Sequence, residues 1–471
     1  MSSRSIRRQP EPLIDLSRPV HCHVVGIGGP GMSPLAFLLQ GLGHHVTGSD
    51  MRTSDATTAL IAAGVDVTIG HRASLIDGAD VVTYSTAIPQ TNVEITAASS
   101  HGIALRHRSG ILASLCAASQ AIGVAGTHGK TTTSALLTHI LVETGRDPSC
   151  IIGADVPGLT VGARVGTSQL FVLESDESDG TLDVLPLSHL IITNVDVDHL
   201  DYFGSFEAVQ QCFIDAIHRT SGHVVVNADD DGSRPIVEAA LQRGNVTTFG
   251  HSANAMLRIT ELSSTNGSLH VELSHAADVC IVSLPLLGEH NAMNCVAAIA
   301  MALSCGVSFH DACKAAATFR GVRRRFTVRG SFNGGLLVDD YAHLPAEIEA
   351  ALQAASSHPQ ATGRVIAVFQ PNRFHRIAAM ANSYADCFTR ADLVVITDVY
   401  ASGTERIEGV TGEMVVSAVR AHHPDAHVVW APQRDDIVAV VASSISDGDV
   451  CVSMGCGDIE TFPDDLMRSA I

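Results

Sequence analysis

The segment IGVAGTHGKTTTSALLTHIL, residues 122–141, indicates how the central part of the chain folds. An apolar run typical of a buried strand is followed by a glycine-rich turn and then by a helical pattern. Such a turn aims backbone N–H groups and the N-terminus of a helix at one point, which makes it an anion-binding site. Among its 29 basic residues the chain has only two lysines, and one of them, Lys130, stands at this turn.

We interpret Lys130 as a phosphate-binding residue. The helix dipole contributes only about 0.3–1 kcal/mol for each charge, which is too little to hold a triphosphate. A compact ammonium can reach between phosphates inside a small loop, whereas the broad guanidinium of arginine suits its rim. Thr131 or Thr132 is then placed to hold Mg²⁺. Val124 breaks the strict GxxxxGK[ST] pattern, so a glycine-rich turn with a capping threonine is the alternative.

Composition excludes several classes of protein. A chain of 471 residues is too long for one core and predicts two to four domains. Its formal net charge of −20 argues against nucleic acid or an anionic membrane surface as a partner. The eleven cysteines include no CxxC pair, and the first twenty residues contain no apolar core of a signal peptide. We therefore expect a cytoplasmic protein with reduced, mostly buried thiols.

The chain is organised as repeated α/β units. Short β-branched runs followed by glycine and a helical pattern recur in three blocks, which predicts parallel sheets. We place the domain boundaries near residues 118 and 329. The predicted domains are therefore residues 1–118, 119–329 and 330–471.

Two acidic clusters follow apolar strands in the second block. ESDESDG contains Glu174, Asp176, Glu177 and Asp179, and TNVDVDHLD contains Asn194, Asp196, Asp198, His199 and Asp201. Mg²⁺ prefers carboxylate oxygens together with water and phosphates, so Glu174, the nearest to its strand, is the candidate ligand. We expect both clusters to face one crevice at the carboxyl ends of strands, with His199 near metal or substrate. A solvated acidic loop and a structural histidine are the alternatives.

Glycine and arginine motifs mark two further sites. Gly26, Gly28 and Gly31 form a GxGxxG turn between a predicted strand and helix. With Asp50 at the end of the next strand, the pattern indicates a bound diphosphate but does not select NAD over another nucleoside diphosphate. Arginine pairs in the third block suit a carboxylate or a phosphoryl group, with surface ion pairs as the alternative. These arginines are Arg323, Arg324, Arg325, Arg373 and Arg376.

Taken together, these motifs resemble those of the Mur ligases. Eight of them occur in the order typical of that family, over roughly residues 20–460: GIGGPGMS, AGTHGKTTT, ESDESDG, TNVDVDHLD, GEHNAMN, FRGVRRRF, VDDYAHLPAE and FQPNR. The sequence is most similar to the branch that adds L-alanine to UDP-N-acetylmuramate. The resemblance implies an α/β protein of three domains: a Rossmann-like UDP-binding domain, a central P-loop-type ATPase domain and a Rossmann-like amino-acid-binding domain.

The resemblance also implies roles for individual residues. ATP would be bound by Gly126, Thr127, His128, Gly129, Lys130, Thr131, Thr132, His290, Asn291, Asn294, Arg325 and Asp340. Mg²⁺, or Mn²⁺ in its place, would be held by Thr131, Glu174 and His199. The UDP part would be held by Gly26, Gly28, Gly29, Gly31, Met32, Asp50, His71, Ser85, Thr86 and Ala87. The amino acid would be bound by Tyr341, His343, Asn372, Arg373 and Arg376. The catalytic residues would be Lys130, Glu174, His199, His343, Arg373 and Arg376.

The implied reaction has two steps. The lactyl carboxylate of UDP-N-acetylmuramate attacks the γ-phosphate of ATP, and the amine of L-alanine then displaces phosphate from the acyl phosphate. The partners are these two substrates, without nucleic acid or membrane, and the implied state is a monomer or a weak homodimer. Leu344 and Asn372 depart from the family's usual DDYAHHP and FQPHRY motifs. They leave open a ligase for another amino acid or a peptide, or a non-catalytic scaffold, whereas an NAD oxidoreductase leaves Lys130 without a function.

Overall fold

The structure, a computed structural model, describes residues 8–177, 179–197, 200–265 and 267–469. Contacts between residues divide the chain into two compact units. The first contains the residues up to 261 together with 271–282 and 292–319, and the second contains 262–270, 283–291 and the residues from 320 onward. Within the described ranges, none of the helices combines the length and the apolar character that crossing a lipid bilayer requires.

The first sheet has five parallel strands. They are β1 (His21–Val25), β2 (His45–Asp50), β3 (Asp66–Ile69), β4 (Val81–Tyr84) and β5 (Ala104–His107). The helices of this part are α1 (Ser33–Gly41), α2 (Asp55–Ala62), α3 (Val93–His101) and α4 (Arg108–Ala117). The strand order β3-β2-β1-β4-β5 is that of a Rossmann fold. Because the direction of winding reverses between β1 and β4, their carboxyl ends border a ligand crevice.

Buried apolar side chains hold α1 against this sheet. Leu35, Leu38 and Leu39 are buried and have the i, i+3, i+4 spacing of one helix face. They belong to the same hydrophobic core as Cys22 and Val24 of β1. This packing fixes the N-terminus of α1 at the carboxyl end of β1, directly after the glycine turn.

The second sheet has ten strands. They are β6 (Gln120–Ala125), β7 (Ser149–Ile151), β8 (Ala163–Arg164), β9 (Leu170–Glu174), β10 (His189–Ile192), β11 (Val224–Asn227), β12 (Val246–Gly250), β13 (Leu257–Thr265), β14 (Ser268–His275) and β15 (Asp278–Leu284). The helices are α5 (Lys130–Glu143), α6 (Leu200–Phe203), α7 (Phe206–Arg219), α8 (Arg234–Arg243), α9 (Glu289–Ser304) and α10 (Phe309–Ala316). The order is β15-β14-β13-β12-β11-β10-β6-β9-β7-β8, so parallel strands β9 and β10 flank β6.

The third sheet has six strands. They are β16 (Thr327–Phe332), β17 (Gly335–Asp340), β18 (Val365–Phe369), β19 (Leu393–Ile396), β20 (Val428–Trp430) and β21 (Val450–Met454). The helices are α11 (Pro345–Ser356), α12 (Phe374–Met380), α13 (Glu413–His422), α14 (Arg434–Ser444) and α15 (Phe462–Arg468). In the order β16-β17-β21-β18-β19-β20 only β16 is antiparallel to its neighbour.

These three sheets confirm the predicted α/β class with mainly parallel strands. The expectation about the cysteines also holds, because all eleven are free thiols and eight of them are buried. The predicted boundary at 329 falls inside β16, which forms a hairpin with β17 and is part of the third sheet. The third sheet thus begins at Thr327, and the exact domain boundaries stay predictions.

Asp339 makes the stability of the third sheet depend on pH. Its carboxylate is fully buried, 3.3 Å from Arg324 Nε, and burial raises its pKa to about 6 from an ordinary 3.8, against the attraction of Arg324 and Arg329. Between those two values the native state keeps a proton that the unfolded state releases, so stability falls as pH rises through this window. We expect Asp339→Asn to flatten the pH dependence of the thermal unfolding midpoint between about pH 4 and about pH 6.

The matched control for this prediction is Asp425→Asn, because Asp425 is an exposed carboxylate of the same sheet region. That variant should keep the wild-type pH dependence. An unchanged slope in Asp339→Asn would contradict the assignment of the buried proton.

Candidate active site

The turn between β6 and α5 is shaped by two glycines that adopt positive φ. Gly126 has φ +129° and Gly129 has φ +81°. A Cβ on Gly126 would lie 2.2 Å from Thr193 Oγ1, and one on Gly129 would lie 2.2 Å from Asn294 Oδ1. Neighbouring side chains therefore approach the backbone as closely as glycine permits, and the turn is rigidly supported.

Residues that follow β10 hold the turn in place. Asn194 Oδ1 accepts a hydrogen bond from His128 N at 2.8 Å, and Thr193 Oγ1 donates to His128 O at 2.6 Å. Asn194 O accepts from Thr127 N at 3.1 Å. These contacts orient the turn so that its remaining N–H groups and the N-terminus of α5 can meet an anion.

Lys130 lies at the start of α5, and its side chain is 13% exposed. Its ammonium donates to Gly126 O at 2.6 Å and lies 3.2 Å from Glu177 Oε2. Burial by itself would lower the pKa of the ammonium. The carboxylates of Glu177, Asp176 and Glu174 raise this pKa by more than burial lowers it, so the net pKa exceeds its ordinary value. Burial also raises the pKa of Glu177 to about 7, against the opposing attraction of Lys130. Lys130 is therefore a permanent cation at the turn after β6.

Glu174 and Thr131 form a pair of oxygen donors beside this turn. Glu174 ends β9, and its carboxylate accepts from Thr131 Oγ1 at 3.0 Å and from Gly153 N at 3.0 Å. Carboxylate and hydroxyl oxygens are the ligands that Mg²⁺ prefers. The third predicted ligand, His199, lies outside the described residues, as does Asp198. Among the described residues no cluster of three His, Cys, Asp or Glu side chains could hold a metal ion by itself.

The start of α9 brings one of the predicted adenine-side residues to the turn. Asn294 Oδ1 accepts from Thr133 Oγ1 at 3.2 Å, so this amide supports the backbone around Gly129. Asn291 Nδ2 donates to Leu287 O at 2.7 Å in the first turn of the helix. The roles predicted for His290 and Asn291 in nucleotide binding stay predictions.

A second constellation occupies the crevice of the first sheet. Gly26 has φ +72°, and a Cβ there would lie 2.8 Å from Ile88 Cδ1 in the loop after β4. Gly28 N donates to Asp50 Oδ2 at 2.8 Å at the end of β2. His71 follows β3, whereas Met32 is buried beneath the turn. The structure thus brings the GxGxxG turn, Asp50 and the loop with Ser85, Thr86 and Ala87 to one edge of the sheet.

A third constellation lies at the carboxyl ends of β17, β21 and β18, which are neighbours in the third sheet. Asp340 accepts from Phe326 N and from Ala342 N, each at 2.7 Å. The guanidinium groups of Arg324 and Arg325 lie 5.2 and 5.3 Å from the centre of the Tyr341 ring. Tyr341 is therefore held in a cationic environment next to Asp340.

The other residues predicted to bind the amino acid are held in the same sheet. His343 Nδ1 lies 3.1 Å from Glu347 Oε2. Arg376, which is buried, donates from Nη1 to Asn372 Oδ1 at 3.0 Å. Arg373 adopts a positive φ of +60° at the turn that begins α12. Arg376 thus differs from a surface ion pair, because it is buried and bound to the buried amide of Asn372.

Comparison with known proteins identifies the family. Three family models match in succession: "Mur ligase family, catalytic domain" over residues 21–120, "Mur ligase middle domain" over 124–302 and "Mur ligase, glutamate ligase domain" over 324–457. A UDP-N-acetylmuramate–L-alanine ligase from Bradyrhizobium is 38% identical over 93% of this chain and 95% of its own length. The chain belongs to the Mur ligase family. A second relative of the same description, from Clavibacter michiganensis, is 39% identical over 93% of this chain and 90% of its own length.

Solved structures of Mur ligases show the same architecture. The UDP-N-acetylmuramate–alanine ligase of Thermotoga maritima aligns with a TM-score of 0.78 and 26% identity, covering 96% of this chain and 99% of that chain. A murein peptide ligase from Psychrobacter arcticus aligns with a TM-score of 0.68 and 25% identity, covering 96% and 98%. The predicted family and its three-domain α/β architecture are confirmed.

Two residues of this Mur ligase that sequence reasoning missed are Arg108 and Glu94. A Cβ on Gly31 would lie 2.8 Å from Arg108 Nη1, so this guanidinium covers the GxGxxG turn. Arg108 Nη2 also donates to Asp179 Oδ2 at 2.7 Å, so this carboxylate of the acidic motif is paired with an arginine. Glu94 is fully buried beside His71. No sequence signal joins Arg108 to a glycine 77 positions earlier, because only the sheet order brings them together.

Gly129→Ala tests the support of the nucleotide turn in this Mur ligase. The new Cβ would meet Asn294 Oδ1 at 2.2 Å and would occupy a positive φ. We expect a loss of about 1–3 kcal/mol of stability and weaker ATP binding, measured by thermal unfolding and calorimetry. Gly145→Ala is the matched control, since Gly145 has φ +73° with nothing within 4 Å of its Cβ position. Equal effects of the two variants on ATP binding would contradict the role of the turn.

Proposed function

We propose that this Mur ligase joins L-alanine to the lactyl carboxylate of UDP-N-acetylmuramate at the expense of ATP, a step of peptidoglycan precursor synthesis. The observation that carries the proposal is the largely enclosed Lys130 at the turn after β6, with the oxygen pair of Glu174 and Thr131 beside it. The relatives that are described as enzymes of this activity align with 93% of this chain at 38–39% identity, which supports the choice of substrates.

The first step is phosphoryl transfer. A carboxylate oxygen of the substrate bonds to the γ-phosphorus of ATP, the bond to the β,γ-bridging oxygen breaks, and ADP leaves with that electron pair. Little covalent chemistry falls to the protein, so its contribution is position and neutralisation of charge. Lys130 and the N–H groups of the turn supply the positive charge on the phosphates.

Glu174 and Thr131 would hold Mg²⁺ at this turn, with His199 proposed as a further ligand. Both described donors are hard oxygens that lie within one hydrogen bond of each other, which fits the ion. When bound, Mg²⁺ offsets the charge of the phosphates, and Mn²⁺ can take the same donors.

The second step forms the amide. The neutral amine of L-alanine attacks the acyl carbon, and the tetrahedral intermediate expels phosphate, which carries away one oxygen of the original carboxylate. The amine must first lose a proton. We propose that His343, held by Glu347 at 3.1 Å, lies on the amino-acid side together with Tyr341, Arg373 and Arg376.

The substrate binds through the first sheet in this proposal. The diphosphate would meet the turn with Gly26, Gly28, Gly29 and Gly31, and the nucleoside would meet Asp50 and His71. The loop with Ser85, Thr86 and Ala87 would close the same crevice. The boundaries near 118 and 329 are proposed as the limits of the UDP-binding, ATP-binding and amino-acid-binding domains.

The test is phosphate release by the purified protein with Mg-ATP and UDP-N-acetylmuramate. We expect release that depends on both and is faster with L-alanine than with glycine, L-serine or a murein tripeptide. Faster release with another amino acid or with the peptide would mean that the ligase prefers that substrate, and would attribute the changed specificity to Leu344 and Asn372. ATP binding without release in any mixture would overturn the ligase assignment in favour of a scaffold.

A further inference from the structure

A buried carboxylate lies behind His71 in the first sheet and has no part in the function proposed above. Glu94 is the second residue of α3, and its side chain is fully buried. Its Oε2 accepts from Ser49 Oγ at 2.6 Å and lies 3.3 Å from His23 Nε2. Its Oε1 accepts from Arg72 N at 3.0 Å and lies 3.3 Å from His71 Nδ1. Four potential donors thus surround one carboxyl group.

Glu94 is an ionised acceptor in this environment. Burial by itself would raise the pKa of the carboxyl. Hydrogen bonds from His23, Ser49 and the backbone N–H of Arg72 together lower this pKa by more, so the net pKa lies below its ordinary value. An ionised carboxylate accepts hydrogen bonds and donates none. In each of these four contacts the hydrogen must therefore be donated by the group that faces Glu94.

The positions of heavy atoms fix which nitrogen of His71 carries the hydrogen. Ser49 has one hydroxyl hydrogen, and the contact of 2.6 Å with Glu94 Oε2 uses it. Ser49 Oγ also lies 2.9 Å from His71 Nδ1, so in this contact the oxygen must accept and Nδ1 must donate. A neutral His71 therefore keeps its lone pair on Nε2.

His71 stands where a nucleoside is expected to bind. It follows β3, and the last residue of the neighbouring strand is Asp50, which holds the GxGxxG turn through Gly28. The side chain of His71 is 14% exposed, so one edge of the ring reaches the surface. A nitrogen lone pair at this edge can bind an N–H or O–H group but is repelled by a phosphate oxygen, which is itself an acceptor.

We propose that Glu94 is a positioning residue that, directly and through Ser49, holds His71 as an Nε2 acceptor for a hydrogen-bond donor of uridine. This rests on the proposed function, which supplies the uridine of UDP-N-acetylmuramate. Two donors of that nucleoside share the required chemistry, the N3–H of uracil and a ribose hydroxyl. Cytosine carries a lone pair at N3, so the first of these contacts would reject a cytidine nucleotide.

His23 secures the carboxylate from the opposite side. It is 1% exposed, its Nδ1 lies 2.8 Å from Thr47 Oγ1, and its Nε2 points to Glu94. Because the hydrogen on Nε2 is needed for Glu94, a neutral His23 accepts the hydroxyl hydrogen of Thr47 at Nδ1. Two adjacent strands, β1 and β2, thus hold Glu94 in the orientation that Ser49 and His71 require.

The first experiment reads the tautomer directly, by ¹⁵N NMR of the full-length protein labelled at histidine. The His71 signals are identified by their loss in His71→Gln. The expected wild-type spectrum has a protonated Nδ1 and an unprotonated Nε2. Glu94→Gln should shift His71 toward a mixture of tautomers, and Ser49→Ala should do so to a smaller extent, because Glu94 Oε1 still lies 3.3 Å from Nδ1. A protonated Nε2 in the wild type would overturn the proposal, whether or not the chain is a ligase.

The second experiment measures UDP and ATP binding by calorimetry. Glu94→Gln should weaken UDP binding about tenfold, the cost of one misdirected hydrogen bond. Ser49→Ala should weaken it less, because the contact between Glu94 and His71 remains, and both variants should leave ATP binding unchanged. Ser49→Ala keeps the buried charge pattern and serves if Glu94→Gln fails to fold. Asp66→Asn, which removes an exposed carboxylate from β3, is the control and should change neither affinity. Unchanged UDP affinity in Glu94→Gln, or in Ser49→Ala where Glu94→Gln does not fold, would overturn the proposal.

Two analogues identify the donor. If the N3–H binds His71, 3-methyluridine diphosphate should bind about tenfold more weakly than UDP, and if a ribose hydroxyl does, 2′-deoxyuridine diphosphate should. The penalty should vanish in His71→Ala. Equal binding of UDP and both analogues would overturn the proposal. UDP binding with the expected penalty but no phosphate release would instead refute the ligase reaction and leave the nucleoside site intact.

Discussion

Replacing Lys130 by alanine should lower kcat for phosphate release by about 10²–10³-fold. This is the usual loss when one preorganised donor that stabilises the charge developing in the transition state is removed. The ammonium is largely shielded from solvent, is held by Gly126 O at 2.6 Å and stays protonated, so it neutralises the transferred phosphoryl group without reorganisation. Lys130→Arg should be nearly as inactive as Lys130→Ala. The planar guanidinium is too broad for the space beside Gly126 O that the compact ammonium occupies. The measurement is the rate of phosphate release at saturating ATP.

A control separates this effect from loss of folding. The variant leaves Glu177 buried without its cation, but burial already holds the pKa of that carboxyl at about 7, so it can take up a proton near neutral pH. Lys314→Ala is the matched control, since Lys314 is the chain's other lysine and is exposed on α10. Near-normal kcat in a folded Lys130→Ala protein would contradict the role of the turn.

Replacing Glu174 by glutamine should raise the Mg²⁺ concentration needed for half-maximal activity by at least about 10–100-fold, the loss that follows even from removing an outer partner of a metal site. Glutamine keeps the shape and one acceptor oxygen for Thr131 and Gly153, so the fold should survive. What is lost is the negative charge that favours a divalent cation. Phosphate release measured against Mg²⁺ concentration gives the shift.

The control for this charge is Glu143→Gln, at the exposed end of the same helix that begins with Lys130. It should leave the Mg²⁺ dependence unchanged. If Glu174→Gln also left it unchanged, the metal would have to be held elsewhere, and the acidic motif would be only a solvated loop.

The local geometry of the nucleotide turn could be predicted because its signals are local. An apolar strand, two glycines and a helix within 20 residues specify a strand–turn–helix unit whatever the rest of the chain does. The general rule that ligand sites lie at the carboxyl ends of parallel strands also places the ends of β9 and β10 near this turn. The structure adds that both strands flank β6.

Other features depend on partners that are distant in sequence. Lys130 meets Glu177 and Arg108 meets Asp179 only once the sheets are assembled, at separations of 47 and 71 residues. Glu94 looks like an ordinary charge in the first turn of a helix, and only its burial shows its network. His199, which was predicted as a ligand, lies outside the described residues.

The start of the third sheet had a local signal that the prediction of a boundary at 329 did not use. Asn333 and Gly334 have φ of +49° and +84° and form the two-residue turn between β16 and β17. Asn-Gly flanked by strands with alternating apolar residues is a strong indication of a hairpin. The Asn-Gly dipeptide therefore predicts that the residues before it, β16, pair with those after it, β17, in one sheet.

Transfer of an oxygen isotope tests the central claim most directly. UDP-N-acetylmuramate labelled with ¹⁸O in its lactyl carboxylate is incubated with Mg-ATP, L-alanine and the protein, and the products are analysed by mass spectrometry. An acyl-phosphate route requires one labelled oxygen in each inorganic phosphate and none in ADP. Formation of the amide with unlabelled phosphate, or with the label in AMP, would contradict the account.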